Sequence, residues 1–384
     1  MGKHLVFVGG GHAHLLSLKN LAHFKSLGHR VTLVSSSPYH YYSGMGPGML
    51  SGIYHPREAR FHVKKLAEDR GAAFIEGKAV KVDPAERLIF LGSGETVHYD
   101  VASFNTGSDV PVERLVTKPE DNLFPVKPVL HLLKARHVIL KAIEESRSVR
   151  FAVVGGGPAG VEISANILRL LKDNRGKGEI TLVAAKKLLD GAPDKARVLA
   201  VESLARRGVR IIEGAQVKAV ERQKVLLNDG EEIAMDIAFI AIGIRPSPLF
   251  RDSGIPTGPD GGMLVNSHLQ SVAYPELFGG GDCISLEGRP LAKVGVYAVR
   301  ENPILYHNLT VALEGGTMTV FTPQSHYLLI FNMGNGKGIY WKKGWVWEGR
   351  SAFLLKDYID RKFMREFQLS GELDELSDIG MEGE

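Results

Sequence analysis

One short pattern occurs twice in this chain and fixes most of what the rest can fold into. Leu5-Val6-Phe7-Val8-Gly9-Gly10-Gly11-His12-Ala13-His14 returns as Phe151-Ala152-Val153-Val154-Gly155-Gly156-Gly157-Pro158-Ala159-Gly160. Each copy is a wholly apolar run and a triple-glycine turn, followed by a helical pattern at Leu15 to Leu27 or Val161 to Leu171. A second apolar run then follows each, Arg30 to Val34 and Glu179 to Val183. Unbroken apolar strands alternating with helices belong to parallel sheets buried on both faces. The expected class is α/β, with two Rossmann-like dinucleotide-binding units.

A strand running into G-x-G-x-x-G at a helix start binds pyrophosphate for physical reasons. The first Gly makes the turn, the second lets the phosphate reach the backbone, and the third lets helix and strand pack closely. Free N–H groups and the positive end of the helix dipole then face the anion. Gly155, Gly157 and Gly160 satisfy the pattern, with Pro158 inside it. Gly9 and Gly11 fit, with His12 and Ala13 after them, but His14 stands where the third Gly belongs. That imidazole either points towards ligand or is a half-buried side chain bonded to backbone. A ribose-binding acid usually ends the second strand. Ser35-Ser36-Ser37 and Ala184-Ala185-Lys186-Lys187 stand there instead. The hydroxyls of Ser35 and Ser36 can bond ribose, and two lysines suit a 2′-phosphate, so NADH and NADPH both stay open.

Further echoes support the duplication. Asp100 to Gly107 resembles Asp236 to Gly243, each an acid, an apolar strand and a closing Gly. Before them lie expected β-meanders, Ala72 to Tyr99 and Arg210 to Ala234, the second with Asn228-Asp229-Gly230 as its hairpin turn. Pro-containing segments around 110–128 and 244–259 read as crossings between units. The length of 384 residues suits two or three domains, and the composition, 44% hydrophobic and 23% charged, excludes wholesale disorder. A net charge of +4 gives no reason to expect nucleic acid. The single Cys excludes a disulfide framework and an internal dithiol. His4, His12 and His14 alternate along strand and turn, which scatters their side chains, so no metal is expected. No apolar run reaches the roughly 18 residues of a membrane span, and the first apolar run is too short for a signal peptide. The expected address is cytoplasmic, with peripheral attachment to the inner face of the cell membrane as an extension.

With these residues in place, the chain resembles the FAD-dependent pyridine nucleotide-disulfide oxidoreductases. It is most similar to type II NADH dehydrogenases and to the NADH-dehydrogenase-like flavoproteins associated with selenide, water dikinase. The resemblance rests on both glycine turns, Tyr42-Ser43-Gly44-Met45, Thr106-Gly107, Pro125 to Pro128, Gly280-Gly281-Asp282, Lys293 to Arg300 and Lys356 to Met364. It implies a glutathione-reductase-like fold holding FAD in the first unit and NAD(P)H in the second. The implied division is 1–112 and 256–316 for FAD, 113–255 for NAD(P)H, and 317–384 as a small α+β acceptor or interface region. It places Ser43, Gly44, Thr106, Gly107, Lys127, Gly281, Asp282, Lys293 and Val294 at the flavin, and Glu162 near the nicotinamide as a catalytic acid. A solvent-facing helical Glu is the plainer reading of Glu162. The helix opening near Val294 would aim its positive end at the flavin.

Two departures bear on the acceptor. Disulfide and sulfide chemistry in the superfamily needs paired cysteines, whereas Cys283 stands alone and reads as inert packing. The glutamine-rich quinone motif is also missing; Ala298 to Pro303 occupies that region. The expected activity is NAD(P)H dehydrogenation through FAD to a quinone. The alternatives are a sulfur, selenium or protein acceptor, or a flavin-binding redox partner with little turnover. Trp341, Trp345 and Trp347 cluster beside Lys342 and Lys343. Ala352, Leu355, Ile359, Phe363 and Phe367 form an apolar stripe interrupted by Lys356 and Asp360. These features suit a membrane-interface anchor, a homodimer face, or a helix packed on the FAD unit.

Overall fold

The computed structural model describes residues 2–116, 122–145 and 147–375. The two repeats seed two five-stranded parallel sheets of matching plan. The first runs in the order Leu277–Gly279, Val101–Phe104, His4–Val8, Arg30–Ser35, Ala73–Glu76. The second runs Leu123–Pro125, Ile237–Ile240, Ser148–Val154, Lys177–Ala184, Arg210–Glu213. In each, the strand before the glycine turn lies between partners: Val8 stands opposite Val34 and Phe104, and Val154 opposite Val183 and Ile240. Both turns therefore leave the carboxyl edge where strand order reverses, the usual ligand position in such sheets. Every residue of His4–Val8 is buried, as two-faced burial requires.

The meanders are shorter than their sequence signal. Ala73–Glu76 and Arg210–Glu213 pair in parallel as the outer strands of the two main sheets. The antiparallel meanders keep only Ala79–Asp83, Leu88–Leu91 and Thr96–His98, and Val217–Glu221, Lys224–Leu227 and Glu232–Ala234. The first repeat's helix is also interrupted. It opens as a 3-10 turn at His12–His14, continues as Leu15–Lys19, and breaks at Asn20 before Leu21–Ser26. The Asn20 side chain donates to the Leu16 carbonyl oxygen (2.8 Å), competing with the backbone for that acceptor. The second repeat's helix, Pro158–Asp173, is unbroken.

The strand just ahead of the first expected crossing pairs with the start of the second. Ser108–Asp109 and Arg245–Pro246 form a two-stranded antiparallel ribbon. The chain then supplies Leu277–Gly279 to the first sheet and a long helix, Gly295–Glu314. A three-stranded antiparallel sheet follows, Leu329–Asn332, Gly338–Lys342 and Trp345–Gly349, and then the helix Arg350–Phe367.

That last helix keeps only part of its expected apolar stripe inside. Its buried face is Ala352, Lys356, Asp360, Met364 and Phe367, whereas Leu355 and Ile359 of the apolar stripe are exposed. The polar pair can be buried because it satisfies itself. The Lys356 ammonium lies 2.6 Å from Asp360 Oδ2 and donates to the Gly44 carbonyl oxygen at 2.7 Å. Tyr42 donates to Asp360 Oδ1 at 3.1 Å. Buried charges persist when paired and hydrogen-bonded in this way.

Candidate functional site

At the second glycine turn each position has a distinct steric reason. Gly155 has φ +128°, and a Cβ there would overlap the Ala241 carbonyl oxygen. A Cβ at Gly160 would overlap the Gly155 carbonyl oxygen, so helix and strand are in contact at that point. A Cβ at Gly157 would meet nothing within 4 Å. Gly157 instead borders a cleft of about 1090 Å³. Gly155, Pro158 and Glu162 share that lining with Ser43, Gly44, Lys127, Lys293 and Val294. Residues assigned in sequence to two different units thus converge on one cavity, large enough for an extended ligand.

The first turn is built differently. A Cβ at Gly9 would overlap the Asn105 carbonyl oxygen, and one at Gly11 the Asn105 side-chain oxygen. Asn105 accepts from the Ala13 amide (3.2 Å) and donates to the Gly280 carbonyl oxygen (2.6 Å). The buried Glu301 accepts from the Gly281 amide at 2.5 Å. Burial pushes its carboxyl up to about 7, against the pull of that hydrogen bond. Asn105 and Glu301 were not singled out in sequence, although they tie the first turn to Gly280-Gly281. The only local hint was the position of Asn105 just before Thr106-Gly107.

His14 does not face ligand. Its Nδ1 lies 2.6 Å from the Gly9 carbonyl oxygen and its Nε2 2.8 Å from Ser103 Oγ, while Phe7 meets it edge-on at 4.9 Å. The imidazole bonds the carbonyl equivalent to the one that Gly160 touches in the other repeat, which is why this position tolerates a side chain. Burial lowers its pKa to about 4, and the ring stays neutral. His12 behaves otherwise. Its Nδ1 is 3.1 Å from His40 Nε2, but its buried Nε2 has no hydrogen-bond partner among the described residues. A buried polar atom left unbonded costs about 1–3 kcal/mol. A dinucleotide along this turn would supply a partner for it, so the residues present fit FAD.

The other candidates fall into two groups. Gly107 keeps an open side, and Ser36 is exposed, but Ser35 Oγ donates to the Ser37 carbonyl oxygen (2.9 Å). Lys127 Nζ lies 2.6 Å from Asp282 Oδ2, and Ser108 Oγ donates to the same oxygen at 2.7 Å. Lys293 borders the cleft, yet its ammonium pairs with Asp260 at 2.7 Å. Val294 caps the helix Gly295–Glu314, whose first residue also lines the cleft. Cys283 is fully buried against the Phe104 and Gly280 carbonyl oxygens, and burial pushes its thiol pKa up. It is held as packing, away from solvent.

Glu162 is not a solvent-facing helical acid. Its Oε1 accepts from the Asn332 amide at 2.7 Å. Burial pushes its carboxyl up to about 7, although the Lys356 charge and that hydrogen bond act in the opposite direction. Burial likewise works against the Lys356 ammonium, but Asp360 and Glu162 outweigh it and raise its pKa. A titratable acid in the cleft is thereby coupled to an ion pair on the last helix. The resemblance implies Glu162 near the nicotinamide, and the structure puts it on the cleft lining; Lys356 and Asp360 read in sequence only as interruptions.

Comparison with known proteins agrees with this geometry. Residues 3–308 match the family described as pyridine nucleotide-disulphide oxidoreductase. The chain is 28% identical over 282 residues to ferroptosis suppressor protein 1 of Taeniopygia guttata, covering 70% of this chain and 71% of that protein. It is 31% identical over 148 residues to an internal alternative NAD(P)H-ubiquinone oxidoreductase A1 of Arabidopsis thaliana, covering 36% of this chain and 29% of that one. Its fold is similar to that of NDH2 from Plasmodium falciparum, solved in complex with NADH, with a TM-score of 0.78 at 14% identity. That superposition covers 97% of this chain and 98% of the other.

Proposed function

The chain belongs to the pyridine nucleotide-disulphide oxidoreductase family, and from that premise we propose that it is an FAD-dependent NAD(P)H dehydrogenase with a quinone acceptor. One observation carries the reading: the cleft beside Gly157 is continuous with Ser43, Gly44, Lys127 and Val294, where the flavin is expected. When bound, FAD accepts hydride from the nicotinamide and passes the electrons to the acceptor.

The chain's own groups bind, orient and handle protons. Gly155, Gly157 and the N-terminus of Pro158–Asp173 receive the nucleotide pyrophosphate. Gly9, Gly11, His12 and Thr106 hold the FAD, and the N-terminus of Gly295–Glu314 presents its positive end to the cleft. Reducing a quinone to quinol takes up two protons. Glu162, with a carboxyl near 7, can hold or release one at the cleft. The buried Cys283 gives no support to a sulfur acceptor. The relatives' names support a quinone.

The same reading extends to the surface. Leu354, Leu355, Tyr358 and Ile359 are exposed on the last helix, and Trp345 is 75% exposed on the hairpin before it. Among the described residues no helix is long and apolar enough to cross a membrane. We assign this face to peripheral contact with the inner face of the cell membrane, where quinones dissolve; a second copy of the chain is the other occupant it suits. The division at 112, 255 and 316 is part of the same proposal, and residues 1, 117–121, 146 and 376–384 within it lie outside the described residues.

Anaerobic addition of NADH or NADPH to the purified flavoprotein tests the first half-reaction. The oxidised-flavin absorbance should bleach and return when a short-chain quinone is added. Failure of both nucleotides to bleach it would overturn the dehydrogenase reading. Bleaching without quinone reoxidation would overturn the acceptor.

A further inference from the structure

We infer that the nucleotide cleft selects NADPH over NADH, through a cationic subsite formed by Arg114, Lys186, Lys187 and Lys218. The inference rests on the dehydrogenase reading and names which of its two donors the site takes.

All four side chains line the cleft that begins at Gly155 and Gly157, together with the strand end Val183-Ala184-Ala185. In a Rossmann unit this strand end faces the adenosine ribose, and a carboxylate there bonds the 2′- and 3′-hydroxyls of NADH. Here the strand closes on Ala184, a buried residue with no hydrogen-bonding side chain. The nearest acid on the neighbouring strand is Glu213, directly opposite Ala184. It is already occupied. Glu213 Oε1 accepts from the Leu188 amide at 2.6 Å, and Arg197 lies within 3.0 Å of both carboxylate oxygens. It fastens the loop after the strand, its charge is offset by Arg197, and it does not line the cleft.

One acid remains on the lining at this end, Asp190, 3.3 Å from Lys186 across an exposed pair. Against it stand four cations. Arg114, Lys187 and Lys218 form no ion pair among the described residues, and all three are exposed at the cleft. Three positive charges with no ion pair among the described residues, set against one acid already beside Lys186, suit a 2′-phosphate dianion. They offer a 2′-hydroxyl little, because a neutral hydroxyl gains no Coulomb attraction from them. The cations come from three separate stretches: Arg114 from the crossing out of the first unit, Lys186 and Lys187 from the strand end, and Lys218 from the meander. Their convergence was legible in sequence only for the lysine pair.

The test has two arms. In the first, the bound flavin is reduced anaerobically in a stopped-flow instrument by NADPH and by NADH, and the concentration dependence gives an apparent Kd for each. NADPH is expected to bind at least tenfold more tightly, with the advantage shrinking as salt is raised. The Lys186→Ala/Lys187→Ala double variant should bring the two Kd values within about threefold of each other. Both side chains are exposed, so the change removes no packing. The second arm needs no electron transfer: binding of 2′,5′-ADP and of 5′-ADP to the holoprotein, by calorimetry. Tenfold tighter binding of 2′,5′-ADP is expected, again lost in the double variant. Equal affinities, or a preference for NADH and 5′-ADP, would overturn the subsite, and so would a double variant that weakens both nucleotides alike. If neither nucleotide reduces the flavin, the dehydrogenase reading falls while the calorimetric arm still decides the subsite.

Discussion

Replacing Lys356 by Met should uncouple the last helix from the rest of the protein, because it leaves a carboxylate buried without its cation. Asp360 is 4% exposed, and its remaining side-chain donor would be the Tyr42 hydroxyl. Removing one partner of such a pair typically costs about 3–5 kcal/mol. Met preserves most of the aliphatic stem, so the loss is mainly electrostatic. The pH dependence has a definite sign. Burial already raises the Asp360 carboxyl in the intact protein, with Lys356 opposing it. Losing Lys356 raises it further. A carboxyl with a raised folded-state pKa contributes stability that is full below its unfolded value of about 3.9 and is lost as pH rises. The variant's deficit should therefore be small near pH 4 and grow towards neutrality. All three tryptophans lie at 341–347, on the hairpin that packs against this helix, so urea unfolding followed by indole emission reports on this region selectively. Adding Asp360→Asn, which still accepts from Tyr42, should recover most of the loss. A Lys356→Met protein within about 1 kcal/mol of the parent at pH 7, or a deficit that grows on acidification, would refute the reasoning.

Gly160→Val should abolish nucleotide binding while FAD is retained, because the clash with the Gly155 carbonyl lies in the second unit; equilibrium dialysis with both ligands checks this. Cys283→Ala should leave quinone reduction within about twofold of the parent and cost on the order of 1 kcal/mol for the lost packing; abolished turnover in a folded, FAD-loaded protein would mean the thiol takes part. Glu162→Gln should remove an ionisation near pH 7 from the turnover profile, since the carboxyl sits there in the parent; an unchanged profile assigns that ionisation elsewhere. Replacing Leu354, Leu355 and Ile359 by Ser should lower retention on anionic vesicles at least fivefold, measured by flotation, and equal retention would remove the last helix from any membrane contact.

The two glycine turns were legible because their chemistry is local: each requirement sits within a few residues of a strand end. The same locality explains the misassigned outer strands. Ala73-Phe74-Ile75 reads alike whether it pairs in parallel with Val34 or folds back in a meander, and only the long-range register decides. His14 was ambiguous because its partner Ser103 lies 89 residues away. Glu301 and Asn105 passed unnoticed for the same reason, since nothing in sequence shows that they meet at Gly280-Gly281. The last helix misled more deeply. Helical periodicity takes apolar residues as the inner face, whereas here the inner face meets Tyr42, the Gly44 carbonyl and Glu162 and so favours a paired Lys and Asp.

The ribbon formed by Ser108–Asp109 and Arg245–Pro246 has an evolutionary consequence. The chain leaves the first sheet and comes back to it through two adjacent rungs of one ladder, separated by about 5 Å. Everything between them is an excursion whose two ends are neighbours. Such a segment can be exchanged whole, like a cassette, without rethreading the sheet it interrupts. A lineage could thus replace its nucleotide-binding module, and with it the choice of reductant, while the flavin cradle around Gly9, Asn105 and Glu301 stayed as it was.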